Sequence, residues 1–172
     1  MTTNDNILVR RAEPQDRPAL GRFGAALVRA HHAFDSQRFL PPRPRLEEGY
    51  AHFLDTQRAA EDVAIFVAER AGSIVGYVYA GIEPPSWKEL RDVADFIHDV
   101  VVDPEARGEG VGTRLIETAA AWLVSRGAPR VMLWTAAQNQ DAQRLFERLG
   151  FRRTMIEMTR EATPAPGSAA AS

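Results

Sequence analysis

Residues 96–123 hold the groups with the clearest chemistry in the sequence: a turn with three glycines, Gly108, Gly110 and Gly112, between an apolar β-branched run and an amphipathic stretch. Apolar residues recur at helical spacing after the turn, so the turn lies at a helix N-terminus. Free backbone N–H groups and the positive end of the helix dipole converge at such a point. The sequence therefore predicts a loop that binds phosphate.

The spacing of the glycines distinguishes this loop from two common phosphate-binding loops. A Walker A loop needs a Gly-Lys-Ser/Thr ending, and the turn contains no lysine. The dinucleotide pattern G-x-G-x-x-G needs a third glycine, and counting from Gly108 or Gly110 finds none. The remaining pattern is R-x-x-G-x-G, which starts at Arg107. A connection whose glycines only permit tight turns is the alternative interpretation.

A second stretch, residues 131–151, follows the loop in the order strand, polar break and short helix. The two patterns together resemble the GNAT superfamily of acyl-CoA-dependent N-acetyltransferases, whose signatures are R/Q-x-x-G-x-G/A and, further along, N-x-x-A-x-x-hydrophobic-Tyr-x-x-x-G-F. The residues that match the second signature are Asn139, Ala142, Leu145, Phe146, Gly150 and Phe151. Two motifs in the right order are more specific than either motif alone.

The periodicity of the remaining sequence agrees with that resemblance. It predicts the order strand, helix, helix, three strands, helix, strand, helix, strand. The resemblance implies an α/β GNAT fold with a central mixed, mostly antiparallel twisted sheet of six to seven strands, flanked by about four helices. The predicted elements include strands at 7–11, 63–69, 73–81, 96–102, 131–135 and 152–159, and a helix at 46–58. We expect one domain over 1–161 and a disordered Ala/Pro/Ser tail over 162–172.

Composition narrows the class of protein further. The chain has 172 residues, 45% of them hydrophobic, which suffices for one sizeable core. No apolar run reaches the length of a membrane span, and the first residues lack a signal-peptide pattern, so we expect a cytoplasmic protein. The chain has no cysteine, so we expect neither disulfides nor thiolate metal sites. Its net charge is −2, without the excess of basic residues that is typical of nucleic-acid-binding proteins. The histidines lack metal-ligand spacing, so no metal site is predicted.

The resemblance implies acetyl-CoA as the acyl donor, and it assigns roles to residues of the loop and the neighbouring strand. Backbone N–H groups of the loop would bind the pyrophosphate, and Arg107 would position the loop or contact phosphate. Main-chain groups at the end of the strand would pair with the pantetheine arm. Asn139 would hydrogen-bond that arm, and Phe146 would pack near the sulfur. Glu109 is expected to face solvent. The strand and loop residues concerned are Val100, Val101, Val102, Arg107, Gly108, Glu109, Gly110, Val111, Gly112 and Thr113.

Acetyl transfer to an amine also needs a base, because an amine with a pKa near 10.4 is almost entirely protonated at neutral pH. His98 and Asp99 are the candidates, since both lie on the strand that leads into the loop. Successive strand residues face opposite sides, so both can face one substrate only if the strand is bulged. A histidine bonded within the fold and a structural aspartate remain alternatives.

Phe146 departs from the family pattern, which often has tyrosine there as the acid that protonates the leaving thiolate. A thiol pKa near 8.5 makes the thiolate a tolerable leaving group, so catalysis does not depend on that hydroxyl. Two hypotheses remain: an N-acetyltransferase that acts on a primary amine of a small molecule or peptide in a ternary complex, and a non-catalytic acyl-CoA-binding module. Tyr77 and Tyr79 lie on a neighbouring strand and face the same side of it, so either could supply the acid instead, although packing is the simpler role for both.

The amine acceptor is predicted to bind between two segments, residues 31–45 and 83–95. Acidic residues would attract a cationic amine, and aromatic residues would form apolar walls. Solvated charges and core aromatics are the plainer interpretation. Family members often form homodimers, and no surface pattern in the sequence decides that question. The residues considered for the pocket are Asp35, Glu83, Asp92, Asp95, Asp99, Phe34, Phe39 and Trp87.

Overall fold

A five-stranded sheet organises residues 7–162, the part of the chain that the computed structural model describes. Its strands alternate with four helices in the order β1, α1, α2, β2, β3, β4, α3, β5, α4. The strands are β1 (Ile7–Arg11), β2 (Val63–Arg70), β3 (Ser73–Glu83), β4 (Ala94–Val102) and β5 (Val131–Leu133). The helices are α1 (Arg17–Phe34), α2 (Leu46–Arg58), α3 (Val111–Ser125) and α4 (Gln140–Arg148).

The strands lie in sequence order across the sheet. Neighbours from β1 to β4 are antiparallel, and β5 runs parallel to β4. The β2–β3 hairpin turns at Ala71 and Gly72, whose φ angles of 50° and 79° belong to the left-handed region that tight hairpin turns require. This mixed, mostly antiparallel sheet confirms the predicted fold class.

Helices cover both faces of the sheet, which explains why β2 and β3 are apolar almost throughout. Ile65, Val67 and Tyr77 pack with residues of α1 and α2 in one core cluster. Phe66 and Val78, which point the other way, pack with residues of α3 and α4 in a second cluster. Each cluster is continuous beneath its helices, so the sheet is held as a rigid platform for the residues at its edges.

The prediction of six to seven strands is wrong for the described chain, because residues 152–159 form no strand and the sheet has five. The alternation of this segment suits a strand, but a strand also needs a neighbouring edge, and residues 152–162 lie exposed. Strand β5 ends at Leu133 rather than at residue 135, where it has diverged from β4. The predicted disordered tail lies outside the described residues from position 163 onward. None of the helices within residues 7–162 combines the length and apolarity needed to cross a membrane.

Candidate functional site

A β-bulge in β4 sets the geometry of the site. Tyr79 of β3 pairs with Asp99, and the next residue, Ala80, pairs with Ile97, so His98 is an extra residue in β4. Such an insertion offsets the usual alternation of side chains. The His98 ring stacks on Phe96, and Asp99 accepts hydrogen bonds from residues of the α1/α2 face, so both candidates face the same side of the sheet. The bulge that the sequence argument required is present.

Strands β4 and β5 separate immediately beyond the bulge. Their pairing stops at Ile97 and Leu133, which leaves the outer edge of residues 98–102 without a β5 partner. The gap opens into a cleft of about 280 Å³ between the α1/α2 side and α4. Its walls include the predicted site residues His98, Asp99, Val100, Asn139 and Phe146.

Asp99 is held by two phenols. The hydroxyls of Tyr50 and Tyr77 both donate to Asp99 Oδ2, over 2.7 Å and 2.9 Å. Burial raises the pKa of the Asp99 carboxyl above its ordinary value, and the two hydrogen bonds partly counteract that shift. Burial and the Asp99 charge raise the pKa of both phenols, so they remain protonated donors. Within residues 7–162 no hydrogen bond engages the second carboxyl oxygen, Oδ1, and Asp99 lines the cleft.

His98 sits between two rings and beside a carboxylate. Its ring lies 5.6 Å from that of Phe96 and 4.7 Å from that of Tyr79, and its Nε2 lies 3.1 Å from Glu83 Oε1. Burial lowers the pKa of His98, while the charges of Glu83 and Asp99 act in the opposite direction. A neutral His98 that donates Nε2–H to Glu83 has its lone pair on Nδ1, and the tautomer is assigned from this partner.

Tyr50 reaches Asp99 only because α1 and α2 approach closely. A Cβ at Gly24 of α1 would lie 1.9 Å from Tyr50 Cδ1, and a Cβ at Gly21 would lie 2.5 Å from the carbonyl oxygen of Glu47. The two glycines therefore seat α2 against α1 and direct the Tyr50 hydroxyl towards β4. The sequence analysis missed Tyr50, and it gave Tyr77 no more than a packing role in preference to an acid role.

Replacing Gly24 by alanine should displace the Tyr50 ring and break its hydrogen bond to Asp99. Overpacking of this kind costs about 1–3 kcal/mol, which lowers the melting temperature by several degrees. Thermal unfolding followed by circular dichroism measures the effect. Gly49→Ala is the matched control, because a Cβ at Gly49 of α2 meets nothing within 4 Å and alanine favours helix. Equal melting temperatures for the two variants would contradict the packing role of Gly24.

The predicted phosphate loop lies at the far end of β4 from the bulge. Gly108 and Gly110 adopt φ angles of +80° and +82°, and a Cβ at either would point into open space. Within residues 7–162, no N–H group from Gly108 to Thr113 donates to another backbone group, and the first such bond of α3 is Arg114 N to Gly110 O. The loop thus offers consecutive free donors at a helix N-terminus, the arrangement that fits a pyrophosphate.

Side chains around the loop fix its position. Arg107 Nε donates to the Val102 carbonyl over 3.3 Å, which ties the loop to the end of β4. Glu109, expected to face solvent, is 44% exposed, and it also forms an ion pair with Arg70 of β2. The pairing offsets the negative charge that Glu109 would otherwise place beside a phosphate. Val111 is buried at the start of α3.

Residues of strand β4 and helix α4 form two sides of the cleft, between the loop and the bulge. Val100, Val101 and Val102 pair with β3 on one edge only, so their other edge faces the gap left by β5. Asn139 caps α4, with its Oδ1 accepting from Ala142 N over 3.3 Å, and it lines the cleft. Phe146 is buried in the cleft wall and packs edge to face on Phe151. No hydroxyl is present at that position.

The residues predicted for the acceptor pocket lie in different places. Phe39 and Asp99 line the cleft, and Glu83 contacts His98. Trp87 is 93% exposed and lines no part of the cleft. Four other residues predicted for the pocket do not line the cleft: Phe34, Asp35, Asp92 and Asp95. Asp35 Oδ1 accepts hydrogen bonds that close a local turn. Asp95 pairs with Ile82 of β3, in the part of β4 that precedes the bulge.

Two proteins with similar sequences carry acetyltransferase names. The chain is 40% identical over 91 residues to an uncharacterised N-acetyltransferase of Methanocaldococcus jannaschii, covering 53% of this chain and 40% of that protein. It is 31% identical over 164 residues to the mycothiol acetyltransferase of Cellulomonas flavigena, covering 92% of this chain and 44% of that protein. The chain therefore spans less than half the length of these curated relatives.

Solved structures with the same fold include the aminoglycoside N-acetyltransferase AAC(6')-Iy, in complex with a bisubstrate analogue of CoA and acetylneamine. That structure is 17% identical, with a TM-score of 0.71 over 93% of this chain and 100% of its own. An acetyltransferase of Trypanosoma brucei is 26% identical, with a TM-score of 0.64 over 91% of this chain and 100% of its own.

The fold of this chain is thus the one that solved acetyltransferase structures have. The family model of the acetyltransferase (GNAT) family matches residues 29–151, which is most of the chain. The chain belongs to the GNAT family. This confirms the resemblance on which the sequence analysis relied.

Proposed function

We propose that this chain is an N-acetyltransferase that transfers the acetyl group of acetyl-CoA to a primary amine by direct attack, with both substrates bound together. The observation that carries the proposal is the bulge in β4, which turns His98 and Asp99 towards one cleft. The same strand ends at the loop of free N–H groups, so donor and acceptor would meet along its edge. Residues 1–161 would form the single domain that performs this reaction.

The residues that would hold the donor follow from the geometry of the loop and strand. The N–H groups of residues 108–113 would bind the pyrophosphate, and the open edge of residues 100–102 would pair with the amide groups of the pantetheine arm. Asn139 and Phe146 would contact the arm near its thiol end. When bound, acetyl-CoA would supply an activated thioester carbonyl within reach of the cleft.

Asp99 and His98, on the acceptor side of the cleft, would have two different roles in the reaction. Asp99, held by Tyr50 and Tyr77, would anchor the ammonium form of the amine through its free Oδ1. The neutral His98 would take the proton at Nδ1, and Glu83 would stabilise the resulting imidazolium. Proximity of the amine to the thioester would supply much of the remaining rate.

A non-catalytic acyl-CoA-binding module is the second candidate, and the observation that favours it is Phe146. The cleft position near the expected thiol carries no hydroxyl.

The two functions differ in turnover. Purified protein would be incubated with acetyl-CoA and a panel of amines, namely amino sugars, aminoglycosides, polyamines and peptide N-termini, and free thiol would be measured. The names of two proteins with the same fold, a glucosamine-6-phosphate N-acetyltransferase and an aminoglycoside N-acetyltransferase, motivate the amino sugars and the aminoglycosides. Tight CoA binding without thiol release for any amine would favour the binding module.

Replacement of His98 by alanine tests the base directly. We expect kcat/KM for the amine to fall by about 10²- to 10⁴-fold, the usual contribution of a general base. The acidic limb of the wild-type pH profile should report the lowered pKa of His98, below the ordinary 6.5, and should disappear in the variant. His52→Ala, on the exposed side of α2, is the matched control and should leave both rate and profile unchanged. A retained acidic limb in the His98 variant would eliminate His98 as the base.

A further inference from the structure

Apolar side chains line the part of the cleft that has no assigned contact with the proposed donor. They come from α1, from the loop after α1 and from the residue that follows β5. We refer to them as the apolar wall, which consists of Leu27, Val28, Phe39, Leu40 and Trp134. A wall of this kind binds the apolar part of a ligand, because contact removes apolar surface from water.

Two members of the apolar wall remain exposed. Leu40 is 68% exposed and Trp134 is 73% exposed. The Trp134 ring packs edge to face on Phe96, with 5.4 Å between the ring centres, and Phe96 stacks on His98. Large apolar side chains that stay exposed while lining a concave site mark a place where a ligand covers them. Trp134 is thus held one ring away from the proposed base.

The cleft offers one carboxyl group to an amine. Among the cleft residues within 7–162, Asp99 is the single one with a carboxyl group. Glu83 does not line the cleft, and it lies 3.1 Å from His98 Nε2. His31 and His98, which do line it, are never anionic. One ammonium group therefore finds a partner of opposite charge, whereas a second would be buried without one, which is unfavourable.

The loop after α1 carries no excess of negative charge in the described chain. Residues 35–45 contain three arginines and one aspartate. Arg38 forms an ion pair with Glu157, and Arg45 forms one with Glu48. Polycations are attracted to sites that are lined by several charges of opposite sign. A polyamine or an aminoglycoside would gain little here beyond one contact inside the cleft.

The cleft is small for the two substrates that it would hold. Its volume is about 280 Å³, whereas sites for drug-sized ligands usually measure about 300–1,000 Å³. The thiol end of the donor would occupy part of that space. The remainder fits a short amine and is too small to enclose a molecule of several linked rings.

We propose that the acceptor is a small primary monoamine with an apolar body, held by Asp99 at its ammonium end and by Leu40 and Trp134 along its body. The inference rests on the proposed function and narrows its substrate class. The amine nitrogen bonds to the thioester carbonyl carbon, the C–S bond breaks, and the sulfur leaves with the bonding electron pair. Of the two protons that the ammonium group loses, one passes through His98 to solvent and the other ends on the sulfur.

Hexylamine and 1,6-diaminohexane test the charge requirement, because they share one carbon chain and differ in a terminal ammonium group. With saturating acetyl-CoA, we expect kcat/KM for hexylamine to exceed that for the diamine by about 100-fold or more. It should exceed that for ethylamine by about 10-fold or more, because the longer chain buries more apolar surface. A diamine or ethylamine that is used as well as hexylamine would overturn the inference and leave the acetyltransferase proposal intact.

Thiol release with no amine at all would contradict the proposed function instead. Calorimetric titration of the CoA-loaded protein would then decide the inference by itself. Binding of hexylamine at least about 10-fold tighter than that of the diamine would support an apolar site for one cation. Equal affinities, or no binding of either amine, would overturn it.

Two variants, Leu40→Gln and Trp134→Gln, test the apolar wall. Each should lower the ratio of kcat/KM for hexylamine to that for ethylamine by about 5-fold or more, chiefly through KM, because the lost contact is present before and during the reaction. Trp87→Gln is the matched control, since Trp87 is 93% exposed and lines no part of the cleft, and its ratio should equal that of the wild type. An unchanged ratio in both wall variants would overturn the inference.

Discussion

Replacement of Asp99 by asparagine is expected to remove most turnover while leaving the fold at least as stable as the wild type. Asparagine keeps an oxygen that can accept from Tyr50 and Tyr77, so the packing around it is retained. It cannot anchor an ammonium group through charge. Losing one partner of a buried charged pair costs about 2–5 kcal/mol, so kcat/KM should fall by about 30- to 5,000-fold.

The difference in stability between this variant and the wild type should depend on pH in a defined direction. Because burial raises the pKa of folded Asp99 above the ordinary 3.8, the folded state holds that proton more tightly than the unfolded state. Wild-type stability therefore contains a contribution that is present below pH 3.8 and is lost as the pH rises through the folded pKa. Asparagine does not titrate. The melting temperature of the variant minus that of the wild type should thus increase over this window and then level off.

Steady-state kinetics and thermal unfolding over a pH series measure both effects. Asp92→Asn, on the exposed loop before β4, is the matched control and should change neither. An Asp99→Asn enzyme with near-normal kcat/KM would exclude Asp99 as the acceptor anchor. A variant that loses activity and also unfolds at markedly lower temperature would assign Asp99 a structural role.

The local geometry of the proposed cofactor half could be predicted because its determinants are local. Glycines with positive φ, a helix that begins directly after them, and an Asn cap on the following helix are all encoded within a few residues. Gly110 and Asn139 therefore lie where the sequence pattern placed them, at the starts of α3 and α4. The family resemblance extended this local information to the whole fold.

The acceptor half depends on contacts between distant parts of the chain. Tyr50 precedes Asp99 by 49 positions, and its orientation results from the close approach of α1 and α2 at Gly24. No local spacing carries that information, because glycines inside a helical pattern indicate nothing about which ring will lie against them. The bulge at His98 was foreseen only as a condition, since the sequence of β4 is compatible with regular pairing as well.

The incorrect strand at residues 152–159 has a related cause. Alternation predicts that a segment can form a strand, whereas pairing requires an edge in the right place. In the described chain residues 153–158 run from α4, where Arg153 contacts Glu147, towards Arg38, which donates to Glu157, so they do not pair with the edge of β5.

Cofactor affinity should collapse when Gly110 is replaced by aspartate. Gly110 has a φ of +82°, which a residue with a Cβ adopts only with strain, and a Cβ there would point into the open space where phosphate is expected. A carboxylate at that point also repels the pyrophosphate, and placing like charges together costs several kcal/mol. The affinity for CoA should therefore fall by about 100-fold or more, as measured by isothermal titration calorimetry.

Gly110→Asn separates the effect of charge from that of strain, and a variant at Gly127 serves as the control. Gly110→Asn adds a side chain of the same shape without charge, and asparagine tolerates positive φ, so the loss of CoA affinity should be smaller. Gly127→Asp is the matched control, because Gly127 has a φ of +96° after α3, with open space around it and no part in the loop. It should bind CoA as the wild type does. If Gly110→Asp bound CoA within about threefold of the wild-type affinity, the pyrophosphate would have to lie elsewhere, and the free N–H groups of residues 108–113 would be no more than the ordinary start of a helix.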